Sequence, residues 1–286
     1  MKGAIIGDII GSAYEFHNVK EKDFDLFPPK AHFTDDTVMT LAVAKSLYEY
    51  EKNEWGTDLR YEPISGEQLE EVLTMYMYDI GNLYRTSYGS RFKNWLRSSD
   101  PQPYNSWGNG APMRCSAAGW FADTPDRAFV LGMITAQPSH NHVDAMIAAG
   151  LTADLICRAR HKATKEEMFE TAKKFYVIPG IDDVRPWYRF DVSCQGTMPV
   201  ALAAFFESRN FEDAIRNAVS VGGDSDTIAA ITGSIAEAYY GLDASLWRQA
   251  LPYLSDELRA IVKDVYDYLD YDRKKIRPAP KKSTTT

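Results

Sequence analysis

Apolar residues recur at spacings of three and four along most of this 286-residue chain, while no convincing run alternates apolar and polar residues between turn-forming positions. The pattern predicts an all-α fold. Over 34–50, Val38, Leu41 and Ala42 with Val43, Ala44 and Leu47 build one broad apolar face, and Thr34 offers an N-cap oxygen. Ser65 with Gln68 and Thr164 with Glu167 have capping-box spacing, Thr124-Pro125 reads as N-cap followed by first helical residue, and Asn210 caps a helix over 211–220. Gly180 after Pro179 and Gly241 after Tyr240 read as stops. Further helices are expected near 3–16, 89–98, 112–121, 142–160, 194–207, 226–240 and 255–270, roughly a dozen in all with short links, as one compact bundle.

Two of these helices are rich in small residues. The first carries Gly3, Ala4, Gly7, Gly11, Ser12 and Ala13, and the segment 222–238 carries Gly222, Gly223, Ala229, Ala230, Gly233, Ala236 and Ala238. Glycine is costly inside a helix, so its repetition predicts close backbone approach at a buried centre.

An apolar share of 45% is enough for a sizeable core, so one domain over 1–272 is expected. It would be followed by a basic, proline-rich and disordered tail over 273–286 that carries Arg273, Lys274, Lys275, Arg277, Lys281 and Lys282. Cys115, Cys157 and Cys194 are odd in number and form no CxxC pair, which indicates neither a disulfide framework nor a zinc knuckle and fits a reducing, cytoplasmic setting. Asp8 interrupts the short apolar run after Lys2, and no eighteen apolar residues follow one another, so neither a signal peptide nor a membrane span is expected. A formal charge of −8 argues against a general nucleic-acid surface.

The segments Thr34-Asp35-Asp36-Thr37 and Gly222-Gly223-Asp224-Ser225-Asp226-Thr227 each start a helix. Either alone is explained by capping, since threonine and aspartate satisfy free N–H groups and oppose the positive end of the helix dipole. Together they offer two carboxylates and a hydroxyl apiece, each ahead of an apolar helix. Four carboxylates in one core repel unless cations neutralise them, and oxygen-only ligation selects Mg²⁺, Mn²⁺ or Ca²⁺ over zinc.

With these segments stand Gly7-Asp8-Ile9-Ile10-Gly11 and Glu15, Tyr88-Gly89 with Phe92 and Trp95, Gly108-Asn109-Gly110-Ala111-Pro112-Met113-Arg114, and Ser139-His140. In this order they resemble the ADP-ribosylglycohydrolase family, which includes dinitrogenase-reductase-activating glycohydrolases and a lens crystallin relative. The resemblance covers most of the chain. It implies an orthogonal all-α bundle with two Mg²⁺ ions, or Mn²⁺, held by Thr34, Asp35, Asp36, Asp224, Asp226 and Thr227, with Asp226 as the bridge. It implies cleavage of ADP-ribose from a protein side chain or small molecule, by a monomer or small homo-oligomer. Asp36 would orient or deprotonate the attacking water, and Glu15 would serve as a mobile acid or gate. Substrate would be held by Tyr88, Gly89, Gly108, Asn109, Gly110, Met113, Ser139 and His140, with the glycine-rich turn presenting N–H groups to the diphosphate at a helix start and Arg114 structural.

His140-Asn141-His142-Val143-Asp144 also matches the opening of a zinc-hydrolase site, but Ala145 follows and only His161 lies downstream, too few nitrogen ligands for a zinc pair. His142 alone reads as a solvent-side residue at a helix start. Trp107, Trp187 and Tyr188 sit in loops where one of them would face an adenine ring, and Asp182, Asp183 and Asp191 read as a solvated acidic loop. Gly81-Asn82-Leu83-Tyr84-Arg85 departs from the activating-glycohydrolase pattern, which points to a shorter bacterial or phage-type branch and leaves the acceptor open. Two other readings keep the same residues: a catalytically idle ADP-ribose-binding relative, and a magnesium-dependent nucleotide phosphohydrolase.

Overall fold

Helix-forming periodicity and well-placed caps carry through into fourteen α-helices in the computed structural model, which describes residues 1–54, 58–60, 64–84 and 86–272. Arg85 and the basic tail over 273–286 lie outside the described residues. In order the helices are α1 (Lys2–Ser12), α2 (Asp35–Glu49), α3 (Gly66–Leu83), α4 (Ser90–Arg97), α5 (Ser116–Phe121), α6 (Pro125–Ala136), α7 (Val143–Arg160), α8 (Lys165–Ala172), α9 (Ile181–Val184), α10 (Cys194–Phe206), α11 (Phe211–Ser220), α12 (Ser225–Tyr240), α13 (Ala244–Ala250) and α14 (Asp256–Asp267). The described residues hold no strand, only an isolated antiparallel bridge between Gly108 and Ser193. None of their helices is long and apolar enough to cross a membrane.

The two glycine-studded helices are the axis of the fold. Every residue of α1 from Gly3 to Ser12 is buried, as is every residue of α12 from Ser225 to Ala238, which is why neither shows a polar face. They touch backbone to backbone. A Cβ added at Gly7 would lie 2.1 Å from the Ala229 carbonyl oxygen, one at Gly3 would lie 2.1 Å from that of Gly233, and one at Gly11 would lie 2.5 Å from the Cα of Asp226. The Ser225 hydroxyl closes the contact by donating to the Gly11 carbonyl at 2.9 Å. This approach sets Asp8 of α1 beside the first turn of α12, with α2 packed against both.

Most caps form as the sequence predicts. Thr34, Thr124 and Asn210 accept from backbone N–H groups at their helix starts, and Thr164 with Glu167 makes the complete capping box. Gly241 ends α12 at a φ of 79°, open to glycine and strained for other residues. Three expectations are corrected. Ser65 starts α3 without a side-chain cap bond. Gly180 is no stop: α8 already ends at Ala172, and Gly180 sits at the N-terminus of the short α9. The helix expected over 112–121 starts only at Ser116, because residues 109–115 form successive turns.

Candidate active site

Asp36 stands in the first turn of α2 and Asp226 in the first turn of α12, and the hydroxyl of Thr227 donates to Asp36 Oδ2 at 3.2 Å. Two helix starts nearly two hundred residues apart in sequence therefore meet. Carboxylate oxygens of Asp8, Asp36 and Asp226 lie within 4.8 Å of one another, and so do those of Glu15, Asp224 and Asp226. Among the described residues these are the clusters with ligand atoms close enough for a cation, and Asp226 belongs to both. The turn that delivers Asp224 needs Gly222 and Gly223, whose φ values are 72° and 73°.

Asp8 was not among the candidate site residues, and it is the hub of this floor. Its Oδ2 accepts from the backbone N–H groups of Thr34 (2.9 Å) and Thr37 (3.0 Å), and its Oδ1 accepts from the Thr34 hydroxyl (2.7 Å). One carboxylate thus takes two of the free donors at the α2 start and locks α2 to α1. The sequence signal for it was a lone charge inside a helix otherwise apolar and small on every side.

Burial makes the cluster electrostatically strained. It pushes Asp36 and Asp226 well above the usual carboxylate range, and repulsion from neighbouring carboxylates adds to the effect. Burial, then the charges of Asp224, Asp35 and Asp8, raises Glu15 to about 7, and burial with Asp8 and Asp224 raises Asp35 to about 7. Two buried oxygens, Asp36 Oδ1 and Asp226 Oδ1, have no hydrogen-bond partner.

Above this floor opens a cavity of about 450 Å³. Glu15, Asp35, Asp36, Asp224, Asp226 and Thr227 line one side, and Gly89, Gly108, Asn109, Gly110, Met113 and His140 line it elsewhere, with Arg91, Arg114 and Tyr104. Arg91 lies over the Tyr104 ring at 4.8 Å, and that ring is 5.6 Å from His140. Arg114 is buried, as expected for a structural role, and donates to the carbonyls of Thr135 and Ala136 and to the Ser139 hydroxyl. Ser139 Oγ in turn lies 2.8 Å from His140 Nδ1. The other ring nitrogen, Nε2, is the atom nearest to a Cβ built at Gly110 and so faces the glycine-rich turn. Burial and the two arginines hold His140 well below its ordinary value, so the ring is neutral.

Several predicted residues are placed differently. Thr34 does not line the cavity; its hydroxyl donates to Asp8 and accepts from the Asp36 N–H at the start of α2. Tyr88 is buried and donates to the Gly81 carbonyl, away from the cavity. Ser139 is also buried and meets His140 rather than the open space. The amide of Asn109 faces inward, donating to Thr197 Oγ1 at 3.0 Å and Asp224 Oδ2 at 2.6 Å, so it holds a carboxylate instead of offering its N–H groups to a diphosphate. Gly108-Asn109-Gly110 leads into turns rather than directly into a helix start. Trp107 and Trp187 are 52% and 63% exposed and off the cavity wall, while Tyr188 is buried with its hydroxyl on the Gly196 carbonyl. His142 caps α7 and belongs to no cluster with His140. Of the acidic loop, Asp182 is solvated as expected, whereas Asp191 accepts from the Ser193 N–H.

Glu15 is half-buried on a loop whose base is pinned. The Asn18 amide donates to the carbonyls of Tyr14, Glu15 and Gly223 and accepts from the Gly223 N–H, and Lys20 Nζ donates to the carbonyls of Tyr188 and Val221. The loop carrying Glu15 is thereby stitched to the turn carrying Asp224.

Sequence comparison fits this fold and site. The description of the ADP-ribosylglycohydrolase family matches residues 1–274. The ADP-ribosylarginine hydrolase Tri1 of Pseudomonas putida is 27% identical over 95% of this chain and 80% of its own length. An ADP-ribosyl-dinitrogen reductase glycohydrolase of Rhodospirillum rubrum is 27% identical over 84% of each chain. A solved structure described as an ADP-ribosylglycohydrolase-related protein complex shares the fold, with a TM-score of 0.64 at 23% identity over 92% of this chain and 94% of that one. The chain belongs to the ADP-ribosylglycohydrolase family. It is an enzyme of that class, a hydrolase of glycosidic bonds to ADP-ribose.

Proposed function

We propose that the chain removes ADP-ribose from an arginine side chain, using a pair of Mg²⁺ ions held by the carboxylates of α2 and α12. The observation that carries this reading is the pair of interlocking carboxylate clusters with two buried, unpartnered oxygens, Asp36 Oδ1 and Asp226 Oδ1. Buried acceptors without donors are rare and costly, and an all-oxygen set of this kind suits a hard divalent cation. The residues present therefore fit the group. Asp35, Asp36, Asp224, Asp226 and Thr227 would hold the ions, Asp226 being common to both clusters. Thr34 and Asp8 would set the geometry of α2 from behind. When bound, such ions supply positive charge that orients ribose hydroxyls and makes a nearby water more acidic.

The chain's own groups account for the rest of the reaction. Asp36 orients the water and takes its proton as the water oxygen bonds to the anomeric carbon. The carbon–nitrogen bond to the guanidine breaks in the same event, and the departing nitrogen keeps the electron pair and receives a proton from the Glu15 carboxyl. Glu15 reaches the site from its pinned loop. On the opposite wall Arg91, His140 and the backbone of Gly108 and Gly110 would receive the diphosphate, beside Gly89 and Met113. The arginine in the name of one relative, an ADP-ribosylarginine hydrolase, and the protein acceptor in that of the other, an ADP-ribosyl-dinitrogen reductase glycohydrolase, favour an arginine side chain as acceptor. The three buried free cysteines suit a cytoplasmic enzyme.

Incubation with Mg²⁺ and ADP-ribosylated arginine, followed by mass spectrometry, is expected to yield intact ADP-ribose and free arginine. Release of AMP or phosphate instead would replace this reading with that of a nucleotide phosphohydrolase.

A further inference from the structure

Two phenylalanines at the cavity mouth have no part in the chemistry above. Phe16 and Phe190 line the cavity, and their rings lie almost parallel, 6.3 Å between centroids at 19°. They are 74% and 50% exposed. Two large apolar side chains held side by side in water, when the core had room for other aromatics, point to a contact made only with a bound partner.

Their position says which part of the substrate that is. Phe16 follows Glu15, on the loop that Asn18 stitches to Gly223. Phe190 belongs to the segment that packs on the same turn from the other side, where a Cβ at Gly223 would lie 2.6 Å from the Tyr188 ring and 3.0 Å from the Arg189 carbonyl. Both rings are thus carried by segments that rest on the turn delivering Asp224. The cationic groups of the cavity, Arg91 and Arg114, gather instead with Tyr104 and His140. An anionic diphosphate belongs at that cationic end. The leaving group, on the far side of the ribose, belongs at the acidic end, beneath the two phenylalanines.

We propose that the Phe16–Phe190 pair is the acceptor subsite, and that it takes the flat, positively charged guanidinium of the modified arginine against its ring faces. This assignment rests on the arginine-directed reading above. Arginine stacks on aromatic faces and is only weakly hydrated, and the carboxylates below add charge complementarity. A serine acceptor has neither the plane nor the charge, so the pair sets acceptor choice and not the rate of bond cleavage.

The test uses the full chain with Mg²⁺ and three probes: arginine-linked ADP-ribose, serine-linked ADP-ribose, and free ADP-ribose as a competitive inhibitor. In Phe16→Ala/Phe190→Ala, KM for the arginine-linked substrate is expected to rise about tenfold with kcat little changed, while inhibition by ADP-ribose stays the same. Phe16→Leu, which keeps apolar bulk without a ring, should show most of the loss on its own, and Phe16→Tyr should restore the parent KM. The proposal is overturned if KM does not move, if ADP-ribose inhibition weakens in step with KM, or if Phe16→Leu behaves as the parent does. It is also overturned if the parent cleaves serine-linked and not arginine-linked ADP-ribose, a result that leaves the glycohydrolase reading standing. Parent protein that releases ADP-ribose from neither conjugate overturns both.

Discussion

At the cavity floor, Asp36 and Asp226 stand on the first turns of two buried helices, fixed by backbone contacts as close as those of Gly7 and Gly11 with α12. At its mouth, Phe16 and Phe190 stand on loops and are 74% and 50% exposed. The floor is built from glycines, capping hydroxyls and carboxylates that allow few alternatives, because each backbone approach and each hydrogen bond fixes a residue type. The mouth is held by loop anchors such as Asn18 and Lys20, which leave the identity of the ring residues free. On the proposed reading the floor carries the reaction and the mouth would choose the acceptor.

The largest effect expected at the floor comes from Asp226→Asn or Asp36→Asn. Either should lower kcat by about 10²–10⁴-fold in a steady-state assay, the range typical of a lost acid–base or charge-stabilising group. Retention of full activity by Asp36→Asn would remove it as the base. Next in size is Asn109→Ala, which strips Asp224 Oδ2 of its 2.6 Å donor. Calorimetric titration should show Mg²⁺ binding weakened about 10–100-fold, the usual result of losing a partner behind a ligand.

Packing should respond by loss of stability. Gly7→Ala places a methyl 2.1 Å from the Ala229 carbonyl oxygen, and denaturant unfolding should show a loss of about 1–3 kcal/mol or more. Unchanged stability would mean that α1 and α12 are not locked as described.

The carboxylates also give the floor a pH signature. Their folded-state pKa values are raised, to about 7 for Asp35 and Glu15 and further for Asp36 and Asp226, mainly by burial. Such groups bind more protons folded than unfolded, so the stability they confer is present below about pH 4, where unfolded carboxylates are protonated, and is lost as pH rises through about 7. Melting of the metal-free protein should therefore fall between about pH 5 and pH 8, and saturating Mg²⁺ should largely abolish the fall. The smallest effect belongs to the solvated surface: Asp182→Ala, at a side chain 83% exposed, should change stability by no more than about 0.5 kcal/mol.

How far the sequence could be read follows the same division. The helices over 34–50 and 211–220 are legible because apolar spacing and an N-cap agree there, those over 142–160, 194–207 and 226–240 because long apolar stretches mark them, and the glycine pattern foretells the α1–α12 contact. Helices α9 (Ile181–Val184) and α13 (Ala244–Ala250) were missed because two turns or fewer carry too little periodicity. Asp35, Asp36, Asp224 and Asp226 declared themselves as acidic clusters at helix starts. Asp8 did not, since its partner Thr34 lies 26 residues away. Asn109 reads from sequence as a ligand contact because a turn motif shows where an amide sits in the chain and not which way it points. The cavity mouth was illegible for a similar reason: Phe16 and Phe190 are neighbours only after folding, and neither lies in a pattern.

Titration of the metal-free protein with Mn²⁺, followed by calorimetry and by anomalous scattering from crystals, tests the convergence of α2 and α12 most directly. The account predicts two ions per chain in contact with Asp36 and Asp226, and their loss in Asp226→Asn. No bound ion, or ions whose binding Asp226→Asn leaves untouched, would contradict it.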